Sequence, residues 1–165
     1  MIILHGGIRL SVFLGDGEYK YKVVDNWAKL PENWSFMDVA GVAVNSKDEV
    51  FVFNRGLHPM IIFDIDGNYL RSWGDDLFSR PHGIHIGPDD YIYCTDDGDH
   101  TVKKISPDGK LIFQIGVPGN PSEFMSNLPF HRCTHTALCP DNNIFVSDGY
   151  GCLLYTSDAA DDALS

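Results

Sequence analysis

The 165-residue chain carries 23 acidic and 12 basic side chains, a net charge of −11, and its Lys and Arg are scattered. That balance argues against nucleic acid as a partner, because a phosphate backbone is bound by clustered cations. No apolar run reaches the ~20 residues that a membrane-spanning helix needs, so no membrane partner is expected.

In chain order, residues 1–14 are apolar but interrupted by His5, Gly6, Gly7 and Arg9. They lack a basic start and a small-residue cleavage site, so they do not read as a signal peptide. The compartment stays unassigned, with an extracytoplasmic location left open. Residues 1–17 are set apart as an N-terminal segment of uncertain origin. Residues 15–26 place Tyr19, Tyr21 and Val23 on one alternating face, the pattern of a strand at a sheet edge or one closing a sheet. Residues 27–34 form a connection whose Trp27 and Trp34 are expected to cap the apolar core.

From there the chain repeats. Gly41-Val42-Ala43-Val44 lines up with Gly83-Ile84-His85-Ile86, and Asp66-Gly67 with Asp108-Gly109, both at an offset of 42. A third copy, Thr136-Ala137-Leu138-Cys139-Pro140-Asp141, is displaced by 52 from the second. The extra 10 residues fit in the loop 117–132, rich in Pro, Gly, Ser and Asn. The first full unit runs over 39–74. In the second, strands are expected at 83–86, 91–95, 101–106 and 111–115, punctuated by Pro88-Asp89-Asp90 and Pro107-Asp108-Gly109 turns. No window holds a helical period beyond two turns. A four-stranded unit of about 40 residues is the signature of a β-propeller blade, so the fold class is all-β, with about three blades present. Three blades leave an open sheet edge, so residues 18–151 alone are expected to fold poorly.

Against that pattern a few residues have no blade-building role. Arg55 and His58 lie in the loop after the first unit's second strand; Arg55 also reads as a salt bridge to a neighbouring blade. His82 stands just before the innermost strand of the second unit, where a side chain can face the central channel as a ligand or as a hydrogen-bonded structural imidazole. His85 alternates with Ile84 and Ile86 and is expected between blades, His100 in solvent. Thr134 holds the position equivalent to His82, so the third unit repeats the fold without the ligand. Tyr150 falls in the loop after Ser147-Asp148, exposed by pattern. The cysteines 94, 133, 139 and 152 form no C-x-x-C pair, so a structural zinc knuckle is not expected; Cys94 and Cys139 read as small core residues. Residues 152–165 do not continue the repeat. Cys152 to Asp162 resembles the translation of a sequencing adapter, so this tail is read as non-native and the chain as a fragment of a larger gene.

Val52-Phe53-Asn54-Arg55-Gly56-Leu57-His58, Arg80-Pro81-His82-Gly83-Ile84 and Val146-Ser147-Asp148-Gly149-Tyr150-Gly151 together resemble the bacterial relatives of peptidyl-α-hydroxyglycine α-amidating lyase, over residues 18–151. The resemblance implies a six-bladed propeller with NHL-type repeats in the whole protein. It implies a lyase that releases glyoxylate and an amidated product from a small-molecule or peptide substrate with an α-hydroxyglycine-like end. By the same resemblance His82 is a zinc ligand, Arg55 binds substrate, Tyr150 is catalytic, and the backbone carbonyls of Val42 and Ile84 ligate calcium. The remaining zinc histidines and the carboxylate calcium ligand would lie in blades beyond this sequence. Leu57 stands where the animal enzymes of that family carry an acidic residue. A non-catalytic NHL-repeat propeller binding protein or carbohydrate is the alternative. A lactonase-type hydrolase would need acidic metal ligands that the pattern does not place.

Overall fold

The computed structural model describes residues 13–141 and 143–158, the last three by backbone alone. The N-terminal residues 1–12 and the end of the tail, 159–165, lie outside the described residues, and so does most of the stretch weighed as a signal peptide. Among the described residues every regular element is a strand, and no helix is long and apolar enough to cross a membrane.

β1 (Phe13–Asp16) and β2 (Tyr19–Lys22) form a hairpin of their own. This differs from the single edge strand expected over 15–26. Asp16-Gly17 is a tight-turn pair, with Gly17 at φ 57° and its N–H donating to the Asp16 carboxylate at 2.7 Å. That turn folds the segment back on itself, so Tyr19 and Tyr21 stay exposed instead of pairing with a blade.

The first blade is β3 (Val39–Val44), β4 (Val50–Asn54), β5 (Met60–Phe63) and β6 (Tyr69–Trp73), consecutive antiparallel neighbours. The second repeats it as β7 (Pro81–Ile86), β8 (Ile92–Asp96), β9 (Thr101–Ile105) and β10 (Leu111–Ile115). The third is β11 (His135–Leu138), β12 (Asn143–Asp148) and β13 (Leu153–Asp158). The innermost strands β3, β7 and β11 stand beside one another, β7 in the middle. The structure is therefore three adjacent blades of an all-β propeller.

Middle strands are buried on both faces: β5 and β8 have no exposed residue, because blades pack face to face. Phe51, Phe53, Met60 and Ile62 of the first blade meet Ile84, Ile92, Cys94 and Ile105 of the second. Tyr93 and Val102 meet Phe130, Cys133, Ile144 and Val146 across the next gap. Each fully buried Phe or Ile in these seams contributes about 2 kcal/mol of apolar transfer energy. On the far side of the first blade, Val52, Ile61 and Phe63 are covered by Trp27 and Trp34, as the sequence suggested. Cys94 is a core residue as expected, but Cys139 is only half-buried, and the second core cysteine is Cys133. Burial pushes both core thiols well above the usual range, which leaves them inert.

The segment set aside as non-native takes the third-strand position over Leu153–Asp158, in register with β12 from Asp148↔Leu153 to Asn143↔Asp158. Strand addition is driven by backbone hydrogen bonds along an open edge, so it tolerates most sequences. Here it is helped by Tyr155, whose ring meets Phe130 at 5.5 Å and whose hydroxyl donates to the Leu128 carbonyl at 2.8 Å.

Candidate functional site

The loop leading into an innermost strand is fixed by a buried polar side chain at the end of the second strand. Asp96 accepts N–H groups of Ser79 and Arg80 at 2.5 and 2.8 Å, and of Gly98 and Asp99. Asp148 does the same for His131 and Arg132, both at 2.6 Å. Asn54, at the equivalent place in the first blade, accepts from Gly56 N–H and donates to the His58 carbonyl. All three are fully buried. Each satisfies backbone donors that a tight loop would otherwise leave unpaired.

These clamps set the register for His82. In β7 the pairing slips between Pro81 and Gly83, so His82 is the extra residue of a bulge. Ala40 occupies the same bulge in β3, between Val39 and Gly41. A bulge re-aims the side chain it carries. Ala40, His82 and Thr134, equivalent in the three blades, all line one cavity of about 360 Å³ between the innermost strands, with Val42, Ile84 and His135. Only one of the three equivalent positions bears an imidazole.

The His82 ring is oriented. Its Nδ1 stands 3.0 Å from the Thr134 carbonyl oxygen. A carbonyl only accepts, so Nδ1 carries a proton, and it is Nε2 that holds the lone pair of the neutral ring. The Thr134 oxygen is itself positioned by the Thr95 hydroxyl at 2.9 Å, and Thr95 takes the Gly83 N–H at 2.7 Å.

Tyr150 is brought to His82, edge to face, with ring centroids 6.0 Å apart. Tyr150 is 45% exposed, as the pattern implied. Over its face lies the Arg132 guanidinium, 4.0 Å from the centroid. Arg132 in turn pairs with Asp97, which also holds Arg80 at 2.6 Å and is itself fully buried. Arg55 is placed differently. Its Nε donates to the Pro81 carbonyl at 3.0 Å, one residue before His82, and its nearest carboxylate is Asp38 at 3.9 Å. Arg55 therefore links two blades at the foot of the His82 bulge. The structure brings His82, Val42 and Ile84 to one cavity and Tyr150 against the His82 ring, while Arg55 touches the Pro81 backbone.

Sequence reasoning missed Arg132 and Asp97. The signal was in the repeat: Asp38, Arg80 and Arg132 share one register position, and Arg55, Asp97 and Gly149 another. The first blade carries that pair with its charges exchanged relative to the second. In the third, Gly149 has no side chain to offer, so Arg132 reaches back to Asp97.

The other histidines are structural or peripheral. His85 and His135 have ring centroids 6.4 Å apart, and burial together with the His135 charge pushes the His85 imidazole down. His100, expected in solvent, is half-buried with a buried Nδ1. It sits at a φ of 65° where the chain turns tightly. His131 bonds the Ser122 carbonyl at 2.9 Å. Among the described residues no group of three or more His, Cys, Asp or Glu is spaced to hold a metal.

No protein-family model matches the chain. Among known proteins it is 31% identical over 141 residues to NHL repeat-containing protein 3 of Homo sapiens, covering 79% of this chain and 40% of that protein. It is 34% identical over 136 residues to the probable peptidyl-α-hydroxyglycine α-amidating lyase of Caenorhabditis elegans, covering 68% and 38%. It is 33% identical over 87 residues to peptidyl-α-hydroxyglycine α-amidating lyase 1 of Drosophila melanogaster, covering 51% and 16%. The chain thus spans two fifths or less of the length of these relatives. A streptogramin B lyase structure shares the fold, with a TM-score of 0.56 at 14% identity over 76% of this chain and 43% of that one. The virginiamycin B lyase from Staphylococcus aureus does so with a TM-score of 0.53 at 14% identity, over 73% and 41%. By sequence the chain is thus similar to NHL-repeat proteins and to peptidyl-α-hydroxyglycine α-amidating lyases, and by fold it is part of a β-propeller.

Proposed function

We propose that the protein is a zinc-dependent lyase that splits a peptidyl-α-hydroxyglycine into an amide and glyoxylate. In this reading His82 is one zinc ligand, Tyr150 the general base and Arg55 a substrate-binding cation. The observation that carries it is the His82 ring: its Nδ1 is tied to the Thr134 carbonyl at 3.0 Å, which leaves Nε2 as the ligating nitrogen in this reading, and Tyr150 stands beside it. A ring held in this way is the usual state of a zinc-ligating histidine. The described residues supply one such ligand and no set of three, so this reading needs further ligands from outside them. Bound zinc would act as a Lewis acid on the substrate hydroxyl. Calcium suits the carbonyl oxygens of Val42 and Ile84, two hard donors from residues lining the same cavity.

The chain's own chemistry is a proton transfer. Tyr150 takes the hydroxyl proton of the carbinolamide. The electrons of that O–H bond form the new carbonyl as the C–N bond breaks, and the proton returns to the departing amide nitrogen. Glyoxylate and the amidated product leave.

The test is glyoxylate release from N-benzoyl-α-hydroxyglycine, with zinc content measured in parallel, in the full-length protein. Tyr150→Phe is expected to lower kcat about 100-fold or more with zinc retained. His82→Ala is expected to lose both zinc and turnover. Unchanged turnover in both variants would sink the mechanism. A second reading, a non-catalytic propeller binding a protein or carbohydrate, is favoured by the match to NHL repeat-containing protein 3, whose name carries no activity. It predicts neither bound zinc nor glyoxylate.

A further inference from the structure

We propose that Arg132 receives the carboxylate of the substrate at this site. The inference rests on the lyase reading above for its substrate class, and on geometry for the residue. Arg132 is the guanidinium that lies on Tyr150, 4.0 Å from the ring centroid, with the His82 ring on the same tyrosine. Arg55, the other candidate, is turned to the Pro81 carbonyl and not to the tyrosine ring.

Arg132 is prearranged for an anion. Its backbone N–H is fixed by Asp148 at 2.6 Å. Its side chain is anchored on Asp97 through Nη2 to the carboxylate and through Nε to the Asp97 carbonyl at 3.4 Å. A guanidinium has five N–H donors, so the Nη1 pair and one Nη2 hydrogen remain for a ligand. The side chain is 34% exposed, whereas Asp97 beneath it is fully buried. Asp97 is shared with Arg80, so Arg132 holds only part of one carboxylate and its remaining donors stay available. A ligand carboxylate can take those remaining N–H groups in a paired contact that a planar fork provides and an ammonium does not. A ligand whose carboxylate is one bond from its reacting carbon would then present that carbon between Tyr150 and His82. The class is an α-hydroxy acid bearing an acylamino group; the corresponding carboxamide is rejected.

The experiment measures binding of N-benzoyl-α-hydroxyglycine and its carboxamide to the full-length protein by calorimetry, alongside glyoxylate release. The native protein should prefer the acid by about tenfold or more, the scale of a charged hydrogen bond. Arg132→Gln should abolish that preference. If Arg132→Gln does not fold, Arg132→Lys keeps a charge for Asp97 but loses the fork, and its preference should fall at least about threefold. An acid preference that survives in either folded variant, or is absent from the native protein, overturns the proposal. Turnover unaffected by Arg132 substitution also overturns it while leaving the lyase reading standing. A preference that disappears with Arg132 in a protein releasing no glyoxylate supports carboxylate binding and sinks the lyase reading instead.

Discussion

Glu49 accepts both terminal amino groups of Arg71, at 2.7 and 2.9 Å. That paired contact holds its carboxyl at about 2, against an ordinary 4.5, with burial working in the opposite direction. The folded protein binds this proton more weakly than the unfolded chain. The stabilisation is therefore complete above pH 4.5 and is lost as the pH falls toward 2. Solvent screens the partly exposed pair, so Glu49→Gln should cost only about 1 kcal/mol at neutral pH. It should also flatten the acid limb of stability, as read by urea denaturation across that range; an unchanged acid limb would assign it to other carboxylates. Single residues were unevenly legible in the sequence. His82 and Tyr150 stood out because a blade does not need them. Asp97 and Arg132 did not, because their meaning depends on a reach between blades. Asn54, Asp96 and Asp148 lay in plain register at offsets of 42 and 52, and a polar side chain ending each second strand was the available signal.

At the scale of elements, the innermost strands approach so closely that glycine is required between them. A Cβ on Gly83 would stand 2.3 Å from the Thr134 carbonyl oxygen and 2.8 Å from the Thr95 hydroxyl. Gly83→Ala must therefore push β7 from β11, costing about 2 kcal/mol or more and breaking the contact that orients His82. Thermal denaturation reads the first effect, and the shift of the His82 Nδ1 resonance the second. Native stability in this variant would mean that the two strands are more loosely joined. Strand positions in the second blade were legible almost to the residue, because alternation and turn chemistry agree there. The β1–β2 hairpin was not, because its period runs through the turn and only Asp16-Gly17 marks the reversal. The strand at Leu153–Asp158 was missed because an open edge accepts a partner on backbone grounds alone.

For the molecule as a whole, the seams between blades carry the stability. Phe53 is fully buried in the first seam, edge-on to Phe78 with centroids 4.7 Å apart. Phe53→Ala should cost about 3–5 kcal/mol and lower the unfolding midpoint of both flanking blades together. Separate transitions for the two blades would show that the seam does not couple them. The repeat at 42 residues made the architecture readable before any coordinate, since a unit that recurs with its turns intact can bury its faces only against copies of itself. The uneven charges were harder to read because duplication hides direction. Arg55 leans forward onto the second blade through Pro81, and Arg132 leans backward onto it through Asp97. The copies are consequently not interchangeable tiles. Splicing them in another sequence would strand a guanidinium without its counterpart, so the lineage of duplications behind this chain has become a one-way order.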